Sequence, residues 1–288
     1  MKNRITMILK RSFKLVSLYL FGAICSVLLS SCASTHTKTA GTLAPDTQTY
    51  SDAVVQVYGA RTKGTKKVLA VHTWISMKAD GEAEYTSYEI IGWRLRRTGT
   101  ALVERRGNPD RDWWGHQPEL ILDIRGKEAQ RLIPQIKQAV ANYPHKNNYH
   151  AWPGPNSNTF TAYIGRQVPD MGLDLPSTAI GKDYREISES VGFSASGSGV
   201  QASLWGLLGI AVGTEEGLEF NLLGLNFELD LLDLAIELPG FGRIGPSDAG
   251  PTNPEPSSPY SEQITADSPQ RSEAHAAEKA NIADRKED

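Results

Sequence analysis

The chain has 288 residues, 40% of them hydrophobic, and carries a formal net charge of -3 at pH 7. This length and hydrophobic content suffice for one substantial domain, and the charge argues against a nucleic-acid-binding protein, which would usually be basic. The only cysteines are Cys25 and Cys32. The chain beyond them therefore has no disulfide, zinc–thiolate site or cysteine nucleophile.

A basic leader and an apolar run open the chain. The run, residues 15–29, has roughly the 15 residues of a signal-peptide core and falls short of the about 20 that a membrane-spanning helix needs. Its end, Leu29-Ser30-Ser31-Cys32, resembles the bacterial lipoprotein box. That resemblance implies that residues 1–31 are a signal peptide and that acylated Cys32 binds membrane lipid. An uncleaved inner-membrane anchor is the alternative, whereas Ala33 favours the outer membrane, facing the periplasm.

Composition divides the rest of the chain into three parts. Residues 32–50 are rich in Thr, Ala, Ser and Pro without an apolar period, which predicts a flexible tether. Residues 246–288 have almost no large apolar side chain and are expected to be disordered, because they bury too little surface to offset the entropy of ordering. Residues 51–245 are predicted to form a single globular domain.

The first half of this domain is predicted to contain strands and then a helix. Strands are expected at Val54–Tyr58, Val68–Met77, Glu84–Leu95 and Glu119–Ile124. The apolar residues of Lys127–Ala141 then change to a helical period of three and four residues. Pro134 should kink this helix or mark its start, since proline lacks the backbone donor.

A second helix is expected from Ser157 or Asn158 to Val168, with Asn156 as its N-cap. The serine-rich stretch Gly192–Gly199 is predicted to be a flexible loop, and it lacks the nucleophile elbow of α/β-hydrolases.

Strict alternation of apolar and polar residues follows at 218–222 and 225–230. A period of two with one solvated face is typical of antiparallel strands, which would close the domain. The predicted class is therefore α+β, an antiparallel sheet packed by two helices.

The segment Trp152–Phe160 is the most suggestive for chemistry. Proline and glycine hold a turn, and the Ser157 hydroxyl follows at the helix N-terminus, where unpaired backbone donors favour an anion or a developing oxyanion. Serine needs a base to become a nucleophile, and His72 on a predicted strand is the candidate. Asn156 and Asn158 could orient a substrate or supply an oxyanion donor.

These residues resemble the circularly permuted papain-like hydrolases, relatives of peptidoglycan-cleaving peptidases and of lecithin–retinol acyltransferase. In that family a strand histidine precedes an Asn-Cys-x-x-Phe-type segment that opens a helix, an order matched here by His72-Thr73 and Asn156–Phe160. The resemblance implies a permuted papain-like core with Ser157 as nucleophile and His72 as base. Serine stands in the place of the family's cysteine, which bears on turnover because a thiolate forms far more readily than an alkoxide.

Five segments resemble more specifically an uncharacterised bacterial family, domain of unknown function 3750. They are Ala70–Trp74, Ile91–Arg94, Trp152–Phe160, Gly181–Tyr184 and Leu222–Leu225. This resemblance covers nearly all of residues 51–245, and it implies no activity.

Each candidate residue also has a structural interpretation. Ser157 could serve as a helix cap, and His72 as a hydrogen-bonded core histidine. Glu89, on the neighbouring predicted strand, could face His72 and fix its tautomer. Trp113-Trp114 could stack on a sugar ring or fill a loop core.

Two charged groups suggest further alternatives. A metal site could involve His116, His145, His150, Asp110, Asp112 and Glu119. Their spacing matches no recognised ligand pattern, so neither a metal nor another cofactor is expected. Anionic polymers or lipid headgroups could meet the basic group Arg94, Arg96, Arg97, Arg105, Arg106 and Arg111, although a solvated strand face is the commoner explanation.

Two functions follow from this reading. One is a catalytically silent module that binds an envelope polymer or lipid through the cleft at Ser157. The other is a serine hydrolase or acyltransferase that acts on an envelope amide or ester through a Ser157–His72 dyad. The sequence does not specify the oligomeric state.

Overall fold

The computed structural model describes residues 43–64 and 68–246. The predicted signal peptide, Cys32, the first part of the tether and residues 247–288 of the predicted tail lie outside the described residues. Within the described ranges, no helix has the length and apolar character needed to cross a membrane.

A five-stranded antiparallel sheet, here called the first sheet, forms one part of the fold. Its spatial order is β4-β3-β2-β1-β5. The strands are β1 (Val54–Arg61), β2 (Val71–Lys78), β3 (Thr86–Ile90), β4 (Leu102–Arg106) and β5 (Glu119–Arg125). β2 lies at the centre of the sheet, and all of its residues are buried.

Three α-helices accompany the described strands: α1 (Leu95–Thr98), α2 (Gly126–Asn142) and α3 (Ser157–Gln167). The main apolar core lies where α2 and α3 meet the first sheet, with Ile136 and Phe160 packed in the same cluster as Val57 and Ile75. A smaller cluster on the other face of the sheet contains Tyr58, Trp74 and Trp113.

The helical predictions agree with the structure. The apolar stripe of α2 is buried, and α3 begins at Ser157 with Asn156 as its N-cap. Pro134 lies inside α2, so it neither starts nor ends that helix. The strand expected over Glu84–Leu95 is shorter: it stops at Ile90, and the chain then turns through Gly92–Arg94 into α1.

A seven-stranded antiparallel sheet, here called the second sheet, follows α3. Its strands run in sequence order from β6 at one edge to β12 at the other. They are β6 (Val191–Phe193), β7 (Val200–Leu204), β8 (Leu208–Gly213), β9 (Gly217–Leu222), β10 (Leu225–Asp230), β11 (Ala235–Leu238) and β12 (Gly242–Ile244). The α+β class is confirmed, but with two antiparallel sheets where the sequence predicts one. The predicted loop Gly192–Gly199 begins within β6.

The second sheet reverses the expected orientation of its two faces. Alternation at β9 and β10 predicts solvated polar residues, yet Glu219, Asn221 and Glu228 are buried. Phe220 and Leu222, which alternate with them, are exposed. The buried side chains find polar partners within the fold: Lys182 Nζ lies 2.5 Å from Glu219 Oε2, and Asn221 donates to Asp183 at 2.9 Å.

Residues 43–50, assigned above to the tether, make specific contacts with the folded part. The backbone N–H groups of Leu43 and Ala44 donate to Oδ2 of Asp110 at 2.7 and 3.1 Å. The Tyr85 hydroxyl donates to the Pro45 carbonyl at 2.9 Å. Contact with the fold thus begins before residue 51, where the sequence places the domain boundary.

Candidate functional site

A cavity of about 510 Å³ lies at one end of the first sheet. The first residues of β2, the last residue of β3 and the start of α3 all line it. Aromatic side chains supply much of its wall: Trp93, Trp113, Trp114, Trp152 and Tyr149. Trp93, Trp114 and Trp152 are each more than half exposed, so flat apolar surfaces remain open to a ligand.

His72 lies at the inner wall of this cavity and is held by Glu89. Nε2 of His72 lies 3.0 Å from Oε2 of Glu89, whose side chain is fully buried. The other oxygen of Glu89 accepts from Arg105 Nε at 2.7 Å and from Arg111 Nη2 at 2.5 Å. Glu89 on β3 thus faces His72 on β2.

The charges of Glu89, Arg105 and Arg111 fix the tautomer of His72. Burial alone would raise the pKa of Glu89, but the hydrogen bond from His72 and the charge of Arg111 outweigh it and lower that pKa. Burial lowers the pKa of His72, although Glu89 opposes the effect. An ionised carboxylate only accepts hydrogen bonds, so Nε2 of a neutral His72 must donate. Nδ1 is then the ring nitrogen with a free lone pair.

The tryptophans of the cavity wall pack outward from His72. The ring of Trp113 stacks on that of His72 with centroids 3.8 Å apart and planes inclined by 7°. Trp93 and Trp114 pack in turn against Trp113 at 5.8 and 6.4 Å. Lys63 lies over the Trp114 ring at 4.6 Å, a cation–π contact beside the cavity. The Glu89–His72 pair thus supports a cluster of three tryptophans.

The start of α3 is fixed by the side chain of Asn156. Its Oδ1 accepts from the backbone N–H groups of Asn158 and Thr159 at 2.9 and 3.1 Å, which forms a capping box with Thr159. Its amide donates to the carbonyls of Ala151 and Ile180. Gly181 makes this fit possible, because a Cβ at that residue would overlap the Asn156 amide.

Ser157 is the first residue of α3 rather than its cap, since Asn156 takes that role. Its carbonyl accepts from Thr161 Oγ1 at 3.1 Å. Neither its hydroxyl nor its backbone N–H hydrogen-bonds to another described residue, and Ser157 lines the cavity. The positive end of the helix dipole therefore presents two free donors to any polar group bound there.

His72 and Ser157 reach the cavity from different sides of β2. Thr73 donates to Asn158 Oδ1 at 2.9 Å and so faces α3. Adjacent residues of a strand point to opposite faces, which turns His72 away from α3 and towards Trp74 and Trp113. The fold brings the two residues to one cavity, and no hydrogen bond joins them.

Asn158 ties α3 to the sheet. Its amide donates to the carbonyls of Val71 at 3.0 Å and Ile180 at 2.8 Å, while its Oδ1 accepts from Thr73. The side-chain donors of both Asn156 and Asn158 are thus taken by backbone carbonyls. The donors of the cavity that remain free at this end belong to Ser157.

The remaining sequence candidates separate in the structure. Arg105 and Arg111 of the basic group converge on Glu89. Among the described residues, no group of three or more His, Cys, Asp or Glu side chains is arranged to hold a metal ion. Sequence reasoning missed Tyr149, Lys63 and Ile180 as cavity residues, and no local pattern marks them.

Comparison with known proteins gives a family match for part of the chain. Neither the curated proteins nor the solved structures gave a match to this chain. The family match described as a protein of unknown function (DUF3750) spans residues 52–184. It covers the first sheet, the three helices and every cavity residue, and it ends at Tyr184, before the second sheet, although the resemblance noted from sequence extends to residue 245. Residues 52–184, somewhat less than half of the chain, are thus similar to the family of proteins of unknown function DUF3750.

Proposed function

We propose that this protein is a binding module of the bacterial envelope that takes a ligand into the tryptophan-lined cavity. The observation that carries the proposal is the cavity of about 510 Å³, with its half-exposed tryptophans and the free donors of Ser157 at the start of α3. Binding sites of this kind combine a mostly apolar wall with a few placed polar groups.

The chemistry of the wall indicates the class of ligand. Tryptophan rings stack on flat, weakly polar faces such as those of sugar rings. The donors of Ser157 and the ammonium group of Lys63 suit hydroxyl, carbonyl or carboxylate groups at the edge of such a ring. An envelope glycan that carries a carboxylate or acetamido group has both properties.

The proposal includes the anchor indicated by the sequence. Acylation of Cys32 would attach the protein to membrane lipid, at the outer membrane and facing the periplasm, where envelope glycans are accessible. Mass spectrometry of the intact protein from membranes tests this part, since an acylated Cys32 adds the mass of its fatty acids and a Cys32→Ser variant cannot carry them.

Calorimetric titration with soluble peptidoglycan disaccharide fragments tests the cavity. Trp93→Ala and Trp152→Ala should each weaken binding about tenfold, because each removes a stacking surface. Trp205→Ala is the matched control, since Trp205 is also exposed but does not line the cavity. Equal affinity of all three variants, or no binding by the parent, would contradict the proposal.

A serine hydrolase or acyltransferase is the second candidate, and one observation favours it. His72, with its tautomer fixed by Glu89, and Ser157, with a free hydroxyl, line the same cavity. A working nucleophile and base lie about 2.6–3.2 Å apart, often further in an unliganded site. Here His72 packs on Trp113, on the face of β2 that points away from α3, and no hydrogen bond joins it to Ser157, so binding is the better supported function.

Labelling with a fluorophosphonate distinguishes the two candidates. A reactive dyad would label the parent, with loss of the label in Ser157→Ala and its retention in the control Ser190→Ala. Absence of label in the parent, while the disaccharide still binds, supports the binding module.

A further inference from the structure

The outward face of the second sheet consists of apolar residues across all seven strands. Neighbouring strands pair these residues in register, for example Ile210 with Phe220 and Phe220 with Phe227. Towards the edges, Ala202 pairs with Val191, and Leu229 pairs with Ile236. The charged and amide side chains of β9 and β10 point inward and are buried.

Such a face is unusual on a soluble surface. An antiparallel sheet with one covered face normally places its apolar residues inward and its polar residues outward. Seven strands spaced about 4.8 Å apart and about five residues long give a face on the order of 500 Å². Contiguous apolar patches of that size mark interaction sites. Phe220 is 48% exposed and Leu222 is 55% exposed, so nothing in the described fold covers them.

The turns of this sheet add apolar side chains that are exposed and therefore contribute little burial to the fold. Leu232 and Phe241, in the β10–β11 and β11–β12 turns, are 75% and 82% exposed. Trp205, Leu223 and Leu234 adopt positive φ angles of 51–53° in other turn positions. Asn and Gly adopt that conformation most easily, whereas bulky side chains are strained in it. Exposed apolar residues at strained positions indicate a role outside the fold.

We propose that this face docks onto the surface of a lipid bilayer. The chemistry of the face gives the first reason to expect lipid rather than a protein partner. Protein interfaces carry about one hydrogen bond per 100–200 Å² and are enriched in Tyr and Arg. The outward positions of the second sheet offer no polar side chain to a partner. The hydrocarbon chains of a lipid form no hydrogen bonds and so need no polar partner on the face.

The position of the lipoprotein box gives the second reason. Residues 33–42 connect Cys32 to Leu43, the first described residue. A fully extended chain of that length spans at most about 40 Å. Acylation at Cys32 would therefore keep the domain within reach of the bilayer, where even a modest affinity of the sheet suffices for docking.

Docking would place the cavity beside the membrane. Nε1 of Trp152, a cavity residue, donates to the carbonyl of Leu223 at 2.9 Å, and Leu223 lies in the β9–β10 turn. One wall of the cavity is thus joined to the docking face. The proposal is independent of the cavity's ligand and takes from the proposed function only the nearness of the membrane.

Photolabelling from within the lipid tests the proposal. The full-length protein is reconstituted into phosphatidylethanolamine–phosphatidylglycerol vesicles that contain a phospholipid with a diazirine in its acyl chain, and labelled residues are located by mass spectrometry. We expect label on outward residues of β8–β10 and on Leu232 and Phe241. Phe220→Glu combined with Leu229→Glu should lower this label about tenfold, because both side chains would lose apolar burial.

The control carries the same two charges elsewhere. Gln138→Glu with Asn147→Glu changes exposed positions outside the second sheet and should label like the parent. Label confined to residues before Leu43 would overturn the proposal even if the anchor holds. A dimer in detergent that Phe220→Glu/Leu229→Glu dissociates, with no label on the sheet, would assign the face to a second copy instead. Disaccharide binding, measured separately, reports on the cavity alone.

Discussion

Lys182 and Glu219 form an ion pair beneath the second sheet, with Nζ and Oε2 2.5 Å apart and both side chains almost fully buried. Asp183 shares the same ammonium group at 3.4 Å. Burial alone would raise the pKa of Asp183, but Lys182 and the amides of Asn221 and Asn226 lower it. Burial and the charge of Asp183 raise the pKa of Glu219 to about 7. One lysine thus supports two carboxyl groups, of which Asp183 is the more firmly ionised.

Replacement of this lysine should destabilise the fold severely. Lys182→Met leaves Asp183 and Glu219 buried without a cation, and removal of one partner from a buried pair costs about 3–5 kcal/mol. The loss of stability should be smaller at pH 5, where Glu219 is protonated, than at pH 8.5, where it is ionised. Urea unfolding followed by tryptophan fluorescence measures both values. The exposed Lys137→Met is the control, and an equal effect of the two substitutions would contradict the assigned role of Lys182.

Glu228 should make stability fall as pH rises. It pairs across strands with Glu237, and burial followed by that like charge raises its pKa to about 8. The folded state therefore holds this proton more tightly than the unfolded state. The stabilisation is complete below the unfolded pKa of about 4.5 and is lost as pH rises through 8, by at most about 1.4 kcal/mol per pH unit for one proton.

Glu228→Gln removes this titration while it preserves the size of the side chain. The variant should match the parent at pH 5 and exceed its stability at pH 8.5, as measured by urea unfolding at each pH. Glu215→Gln, at an exposed turn position, should leave the pH profile of the parent unchanged. A parent whose stability rises between pH 5 and 8.5, with Glu228→Gln parallel to it, would contradict the prediction.

The sequence predicted local features of the site and missed those that depend on distant partners. The start of α3 follows from Asn156 and the four-residue apolar repeat, since both signals lie within one short segment. The faces of the second sheet could not be assigned in the same way. A period of two shows that the faces differ, but Glu219 is buried because Lys182 meets it from 37 positions away. No pattern in the strand itself reports that contact.

The charge of Glu89 should govern the ionisation of His72. Burial lowers the pKa of His72, and Glu89 opposes that effect. Glu89→Gln should therefore lower the pKa of His72 further below its usual value of about 6.5. NMR titration of protein labelled with ¹³C at histidine, with the signal assigned through His72→Gln, measures the change. Exposed Glu128→Gln should leave the titration unaltered, and a rise in Glu89→Gln would contradict the hydrogen-bonded arrangement.

Asn156 should contribute more to stability than an ordinary cap. Asn156→Ala removes the acceptor for two backbone N–H groups of α3 and leaves the Ala151 carbonyl without its donor, whereas the Ile180 carbonyl keeps the amide of Asn158. Loss of a cap costs about 1 kcal/mol, and unpaired buried polar groups add about 1–3 kcal/mol, so we expect about 2–4 kcal/mol in urea unfolding.

The same substitution should also disturb the cavity, because the start of α3 sets the position of Ser157. Disaccharide affinity should fall in Asn156→Ala even under conditions where the variant is fully folded. The control Asn147→Ala, an exposed residue without side-chain hydrogen bonds, should change stability by no more than about 0.5 kcal/mol and leave binding intact. A variant that loses stability but binds like the parent would show that the cap supports the helix without positioning the site.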